Sequence, residues 1–137
     1  MRNSVAIAFL ALLPAMAQGE IFRCDIRPDG TGEWIPERLI FEHVQGQLDA
    51  EVWDPLIKYF IGDPIPARVV VENDKRLTIS WEIKDLTNRA GPGRQFTSAL
   101  AFRATLLKPS LRLIVKSKPR GYSNDFRGEG QCRLLGR

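Results

Sequence analysis

Apolar and polar residues alternate most regularly at Leu77, Ile79, Trp81 and Ile83, which interleave with Thr78, Ser80, Glu82 and Lys84. A period of two sends the first set to one face and the second to the other, the pattern of a half-buried strand. Two further runs behave alike. Phe96, Leu100, Phe102, Ala104 and Leu106 alternate with Thr97, Ala99, Arg103 and Thr105, and Leu111, Leu113 and Val115 alternate with Arg112, Ile114 and Lys116. Lys108, Pro109 and Ser110 supply the turn between them. The pattern also predicts strands over 20–27, 33–44, 48–52, 67–71 and 128–135, which makes eight. One helical turn is predicted over 56–61: Asp54 can cap it, Pro55 suits its first position and Gly62 its stop.

Short links between eight strands imply antiparallel pairing, because parallel neighbours need crossovers of a dozen or more residues. The expected fold is therefore all-β: an eight-stranded antiparallel barrel-like meander with one short helical turn. A Greek-key sandwich is the alternative.

The first segment has a different character. Arg2 precedes an apolar stretch from Val5 to Leu13, which Pro14 and the small-residue pattern Ala15, Met16, Ala17 close. A basic start, a short apolar middle and an A-x-A end are the parts of a secretory signal peptide. The apolar run falls short of the about 20 residues that a membrane helix requires. Residues 1–17 are read as a signal peptide cleaved after Ala17, and 18–137 as a single β domain, periplasmic or secreted. No cysteine stands where a lipid anchor would be attached, and no transmembrane segment is expected in the mature chain.

Cys24 and Cys132 are the only cysteines. In an oxidising compartment, two cysteines at opposite ends of a domain point to one disulfide. Cys24 shares strand parity with Phe22 and Ile26, and Cys132 with Leu134, so both thiols belong to apolar faces. A bond between them would staple the first strand to the last.

Charge is divided along the chain. From Gln18 to Asp85 there are 14 acids and 8 bases, whereas from Leu86 to Arg137 there are 2 acids and 11 bases. One reading is that acidic strands pair with basic ones across the sheet. The other is a surface with a basic side. In an up-and-down chain the long links all fall at one end: 28–32, 53–66, 86–94 and 117–127. Loops carried on a rigid scaffold are where binding residues gather. Arg89, Arg94, Lys118, Arg120 and Arg127 lie in the last two of these links with Lys116 beside them, and Asp29, Asp54 and Asp63 lie in the first two. The expected binding residues are thus Arg89, Arg94, Lys116, Lys118, Arg120 and Arg127, on a basic loop rim facing an anionic ligand, an envelope surface or another exported protein. Eight strands enclose a lumen that side chains can fill. The bulky inward set, which includes Phe22, Phe41, Val71, Trp81, Phe96, Phe102 and Leu111, predicts a filled core rather than a deep apolar pocket.

Catalytic signatures are missing. His43 is the only histidine, so no histidine pair exists to bind zinc, and the sequence holds no G-x-S-x-G, P-loop or H-E-x-x-H. His43 at a strand end reads as an ordinary packed or surface residue, and the spacing of Glu33, Glu37 and Glu42 is common on solvated strand faces. No enzyme activity, cofactor or metal is expected. Trp34, Trp53, Tyr122 and Phe126 lie near the rim and could stack on a base or a sugar, but an exported chain is not expected to meet nucleic acid.

The frame of an export signal, the aromatic-x-Cys unit Phe22, Arg23, Cys24, several strands and the late Cys132 is similar in layout to small periplasmic lysozyme-inhibitor barrels. The Ser/Gly-rich inhibitory loop and Lys-Gly strand of those families have no counterpart in this sequence, and basic loops are poorly suited to lysozyme, itself basic. No residue roles are carried over from them. The reading that results is an exported β-barrel binding module, with a protein-interaction or enzyme-inhibitor domain as the alternative.

Overall fold

The structure, a computed structural model, describes residues 18–30, 34–84, 86 and 98–136. Eight strands follow one another as β1 (Glu20–Pro28), β2 (Arg38–His43), β3 (Asp49–Trp53), β4 (Ile65–Glu72), β5 (Arg76–Ile83), β6 (Leu100–Leu107), β7 (Arg112–Pro119) and β8 (Phe126–Gly136), with helix α1 (Pro55–Phe60) between β3 and β4. Each strand pairs antiparallel with the next, and β8 returns to β1, so the sheet is a closed barrel. The barrel-like meander expected from the alternation is what forms, and the sandwich is not. Closure leaves no sheet edge unpaired. Residues 1–17, which the sequence pattern reads as a signal peptide, lie outside the described residues, as do Glu33, Phe96, Arg89 and Arg94.

The lumen is filled. Leu39, Phe41, Val52, Ile79, Ile83, Leu100, Leu106, Leu113 and Val115 are fully buried. Two ring pairs cross strand boundaries inside it: Phe22 stacks on Phe41 with centroids 5.1 Å apart, and Trp81 on Phe102 at 5.2 Å. α1 covers one end. Asp54 caps it by accepting the Ile57 N–H at 2.7 Å, Pro55 needs no donor partner at the first turn, and the wholly buried Ile57 anchors it to the core.

The seam between β1 and β8 holds the barrel shut. Cys24 and Cys132 stand directly opposite one another in its register and form the disulfide. The inward positions of β8 just before Cys132 are Gly128 and Gly130. Their missing side chains leave room for Ile26 and Ile35; a Cβ on Gly130 would overlap the Asp25 carbonyl oxygen. β8 can lie flush against β1 only with glycine there.

Three local departures from strict alternation change where side chains point. The pattern predicts a strand from Glu33, but β2 begins at Arg38: Pro36 has no N–H to give a ladder, and Ile35 packs into the core from a turn instead. In β4, Val69 pairs with Ile79 but Val71 with Thr78, so Val70 is a bulge. Val71, expected inside, joins the outward register of Thr78, and Glu72 turns to the inward register of Leu77. Leu111, also expected on the inward face of a strand, precedes β7 at a φ of 61° and is half-buried in the β6–β7 link.

The disulfide joins residues 108 apart in sequence. In the chain-entropy view, closing a loop of that size stabilises a fold by about 4 to 5 kcal/mol. Reduction, or the double substitution Cys24→Ser/Cys132→Ser, is expected to lower the melting temperature by about 15 °C. A differential scanning calorimetry trace unmoved by reductant would show that the seam holds without the bond.

Candidate basic face

β7 and β8 extend further than their alternation suggests, and this moves the predicted basic residues. Lys116 and Lys118 lie on β7, and Arg127 lies on β8, so all three stand on the outer wall of the barrel. Of the six expected rim residues, only Arg120 lies in a described loop. The correction has a simple cause: the ladder between β6 and β7 continues to the first residues of β6, with Lys118 paired to Ala101 and Pro119 to Leu100.

On that wall the charges are grouped by sign. Arg103 on β6, Lys116 on β7 and Arg127 on β8 are direct cross-strand neighbours, Arg103 opposite Lys116 and Lys116 opposite Arg127. With strands about 4.8 Å apart, three cationic positions fall within roughly 10 Å. Arg76 and Thr105 border the same shallow cleft of about 390 Å³. Beneath its edge, the Thr78 and Thr105 hydroxyls share a 3.0 Å hydrogen bond that ties β5 to β6. Far around the barrel, Glu42 on β2 stands opposite Glu51 on β3. The expected pairing of acidic with basic strands is met in part. Asp25 stands opposite Arg38, Asp49 opposite Arg68 and Arg27 opposite Glu129, and Arg120 and Arg127 of the basic half reach Glu82 and Asp29 of the acidic half.

The cations differ in how far they are neutralised. Arg120 grips Glu82 through two nitrogens, at 3.3 and 2.9 Å, and this hydrogen bonding holds the Glu82 carboxyl below its usual range. Arg112 reaches Glu129 at 2.6 Å and holds that carboxyl down in the same way. Arg127 shares Glu129 at 2.8 Å and lies 3.6 Å from Asp29. No ion pair to Arg103, Lys116 or Lys118 is present among the described residues. The uncompensated charge is thus centred on β6 and β7. Arg103 escapes a sequence reading that looks for sites in loops, because its strand parity alone gives it no distinction. The signal that finds it is its register opposite Lys116.

The long-loop end carries a different group. Asp54 is buried, its Oδ2 has no hydrogen-bond partner, and desolvation pushes its carboxyl up to about 6 despite the N–H groups of Ile57 and Leu56. Asp54 is the helix cap that the sequence predicts, and its burial removes it from the exposed acidic side of the rim where its loop position also placed it. Among the described residues, no three His, Cys, Asp or Glu side chains are grouped to hold a metal ion. No helix there is long and apolar enough to cross a membrane.

Fold and face together define a disulfide-closed, eight-stranded antiparallel β-barrel with one basic wall. The chain matches no family model, no curated protein and no solved structure.

A carboxyl whose folded pKa is raised contributes stability that is complete below its unfolded pKa and is lost as pH rises through the folded one. For Asp54 that window runs from 3.8 to about 6, and the loss amounts to about 2 to 3 kcal/mol. Asp54→Asn keeps a capping oxygen and removes the titration. Urea midpoints at pH 4, 5.5 and 7 should show the variant gaining on the parent as pH rises; parallel profiles would mean that Asp54 ionises without cost.

Proposed function

We propose that the protein is an exported binding module, periplasmic or secreted, whose basic wall over β6–β8 seats on a surface of repeated anionic groups and performs no chemistry of its own. The observation that carries this reading is the row Arg103, Lys116, Arg127, in which like charges stand directly opposite one another. Such pairs destabilise a sheet, so a partner that supplies the opposing charge gains binding energy from them. A broad wall with a shallow cleft suits a surface better than it suits one small ligand. Export is supported by the pattern of Arg2, Val5–Leu13 and Ala15–Ala17 and by the disulfide, which fits an oxidising compartment.

The test is co-sedimentation with vesicles of phosphatidylcholine with or without phosphatidylglycerol. Binding should require the anionic lipid and weaken as salt rises to physiological strength. With each cation near an anionic surface worth about 1 kcal/mol, Arg103→Gln/Lys116→Gln should lower the partition coefficient about 30-fold. Binding that ignores salt, or survives the double substitution, would remove the wall from consideration.

A second reading rests on different residues. Tyr59, Ile61 and Tyr122 are exposed at the long-loop end, Tyr59 by 67%, and exposed aromatics suit a protein interface. A protein-interaction or inhibitor role would use them. Tyr59→Ser/Tyr122→Ser should then abolish capture of a partner from a periplasmic extract while leaving vesicle binding intact; capture that is equal for parent and variant would exclude this end as the contact.

A further inference from the structure

The cleft on the basic wall has two charged ends. At one of them Arg76 on β5 stands opposite Leu107 on β6. At the other, Arg103 stands opposite Lys116, and Lys116 opposite Arg127. Leu107 and Arg103 are four positions apart on β6, so at a strand rise of about 3.3 Å the two rows lie about 13 Å apart. The row between them carries no charge on β6 or β7, where Thr105 stands opposite Ile114. Leu107, Thr105 and Ile114 are half-buried and line the cleft between its ends, whereas Arg76, Arg103, Lys116 and Arg127 are exposed.

Both ends keep charge that the protein does not neutralise. Arg76, Arg103 and Lys116 make no ion pair among the described residues. Arg127 does, with Glu129 and Asp29, and Glu129 is held a second time by Arg112. Glu129 stands opposite Ile114, at the β8 end of the neutral row, where these two arginines compensate it. Drawing every cation of the cleft onto one central anion would crowd like charges over an aliphatic floor. One anion at each end instead leaves every cation over its own strand position and leaves the floor to a neutral group.

We propose that the cleft seats a diphosphorylated sugar head group: one phosphate on Arg103 and Lys116, the other on Arg76, and the neutral sugar between them on Leu107, Thr105 and Ile114. Guanidinium forks match phosphate oxygens. The aliphatic side chains suit the C–H faces of sugar rings, and the Thr105 hydroxyl, which shares one hydrogen bond with Thr78, keeps capacity for a sugar hydroxyl. This inference rests on the basic wall being the binding face and names the repeated group of the surface it meets, a glycolipid phosphorylated at both ends of its head.

Co-sedimentation with phosphatidylcholine vesicles carrying diphosphoryl or monophosphoryl lipid A tests it, with mole fractions set so that both vesicles have the same electrophoretic mobility. The diphosphoryl vesicles should bind about tenfold more tightly, the effect of one further charge-assisted contact. Arg76→Gln should bring that ratio to about one, whereas Lys118→Gln, on the same wall but outside the cleft lining, should leave the ratio unchanged. The deacylated diphosphorylated disaccharide should displace the protein from the vesicles at about tenfold lower concentration than its monophosphorylated counterpart, which separates head-group recognition from attraction to a charged bilayer. Equal binding at matched mobility, a preference that Arg76→Gln leaves intact, or no displacement by the soluble disaccharide would overturn the proposal. Any of these together with salt-dependent binding to phosphatidylglycerol would leave the basic wall standing and sink only the two-ended cleft; no binding to any anionic vesicle would remove both.

Discussion

Everything in this barrel depends on β8 lying flush against β1. The contact uses two devices at adjoining inward positions: glycine at Gly128 and Gly130, where a side chain would meet Ile35 or the β1 backbone, and a covalent bond at Cys132. Neither device substitutes for the other. The glycines permit the approach of the strands, and the disulfide reduces the freedom of the unfolded chain to leave it. Once the seam is shut, alternation around all eight strands fills one core and presents one continuous outer wall. Closure also removes the unpaired edges through which an open sheet would add strands from another chain.

Strand parity is what converts this architecture into distinct surfaces. A one-residue change of register moves every later side chain to the other face. The bulge at Val70 does this over the last residues of β4 only: it moves Val71 outward and brings Glu72 beside His43. Without the extra residue, a carboxylate would lie on the outside and His43 would lose its charged neighbour. That pairing is therefore a product of one irregularity in an otherwise regular sheet.

The regular part is legible in the sequence. Leu77 to Lys84 and Leu100 to Leu106 alternate because one face is buried and the other wet, and the common apolar parity of Cys24 and Cys132 points to the seam. What escapes are features that alternation does not encode. The residues after Lys116 read as a loop because of Pro119 and Gly121, yet Pro119 ends β7 opposite Leu100, and Lys118 stays on the wall. Asp54 reads correctly as a cap, but its burial escapes because it depends on how α1 folds over the barrel end. His43 reads as ordinary because its partner, Glu72, lies two strands further along the chain and reaches it only through a bulge. Register between strands, which puts Arg103 beside Lys116, is likewise a property of pairs and not of any single run.

The charge division shows why the meander itself matters. In this topology, neighbours in sequence are neighbours in space, so a step in charge along the chain becomes a step in charge around the barrel. Glu42 and Glu51 come to face each other on one side, and Arg103, Lys116 and Arg127 on the other. Closure returns the late β8 beside the early β1, and at that seam the signs mix: Arg27 stands opposite Glu129, and Arg127 lies 3.6 Å from Asp29. The polarised exterior is thus a joint consequence of composition and connectivity. Local neutralisation by Glu82 and Glu129 trims the edges of the basic side at Arg120 and Arg112 but leaves Arg103 and Lys116 facing solvent, and those two positions give the wall its net sign.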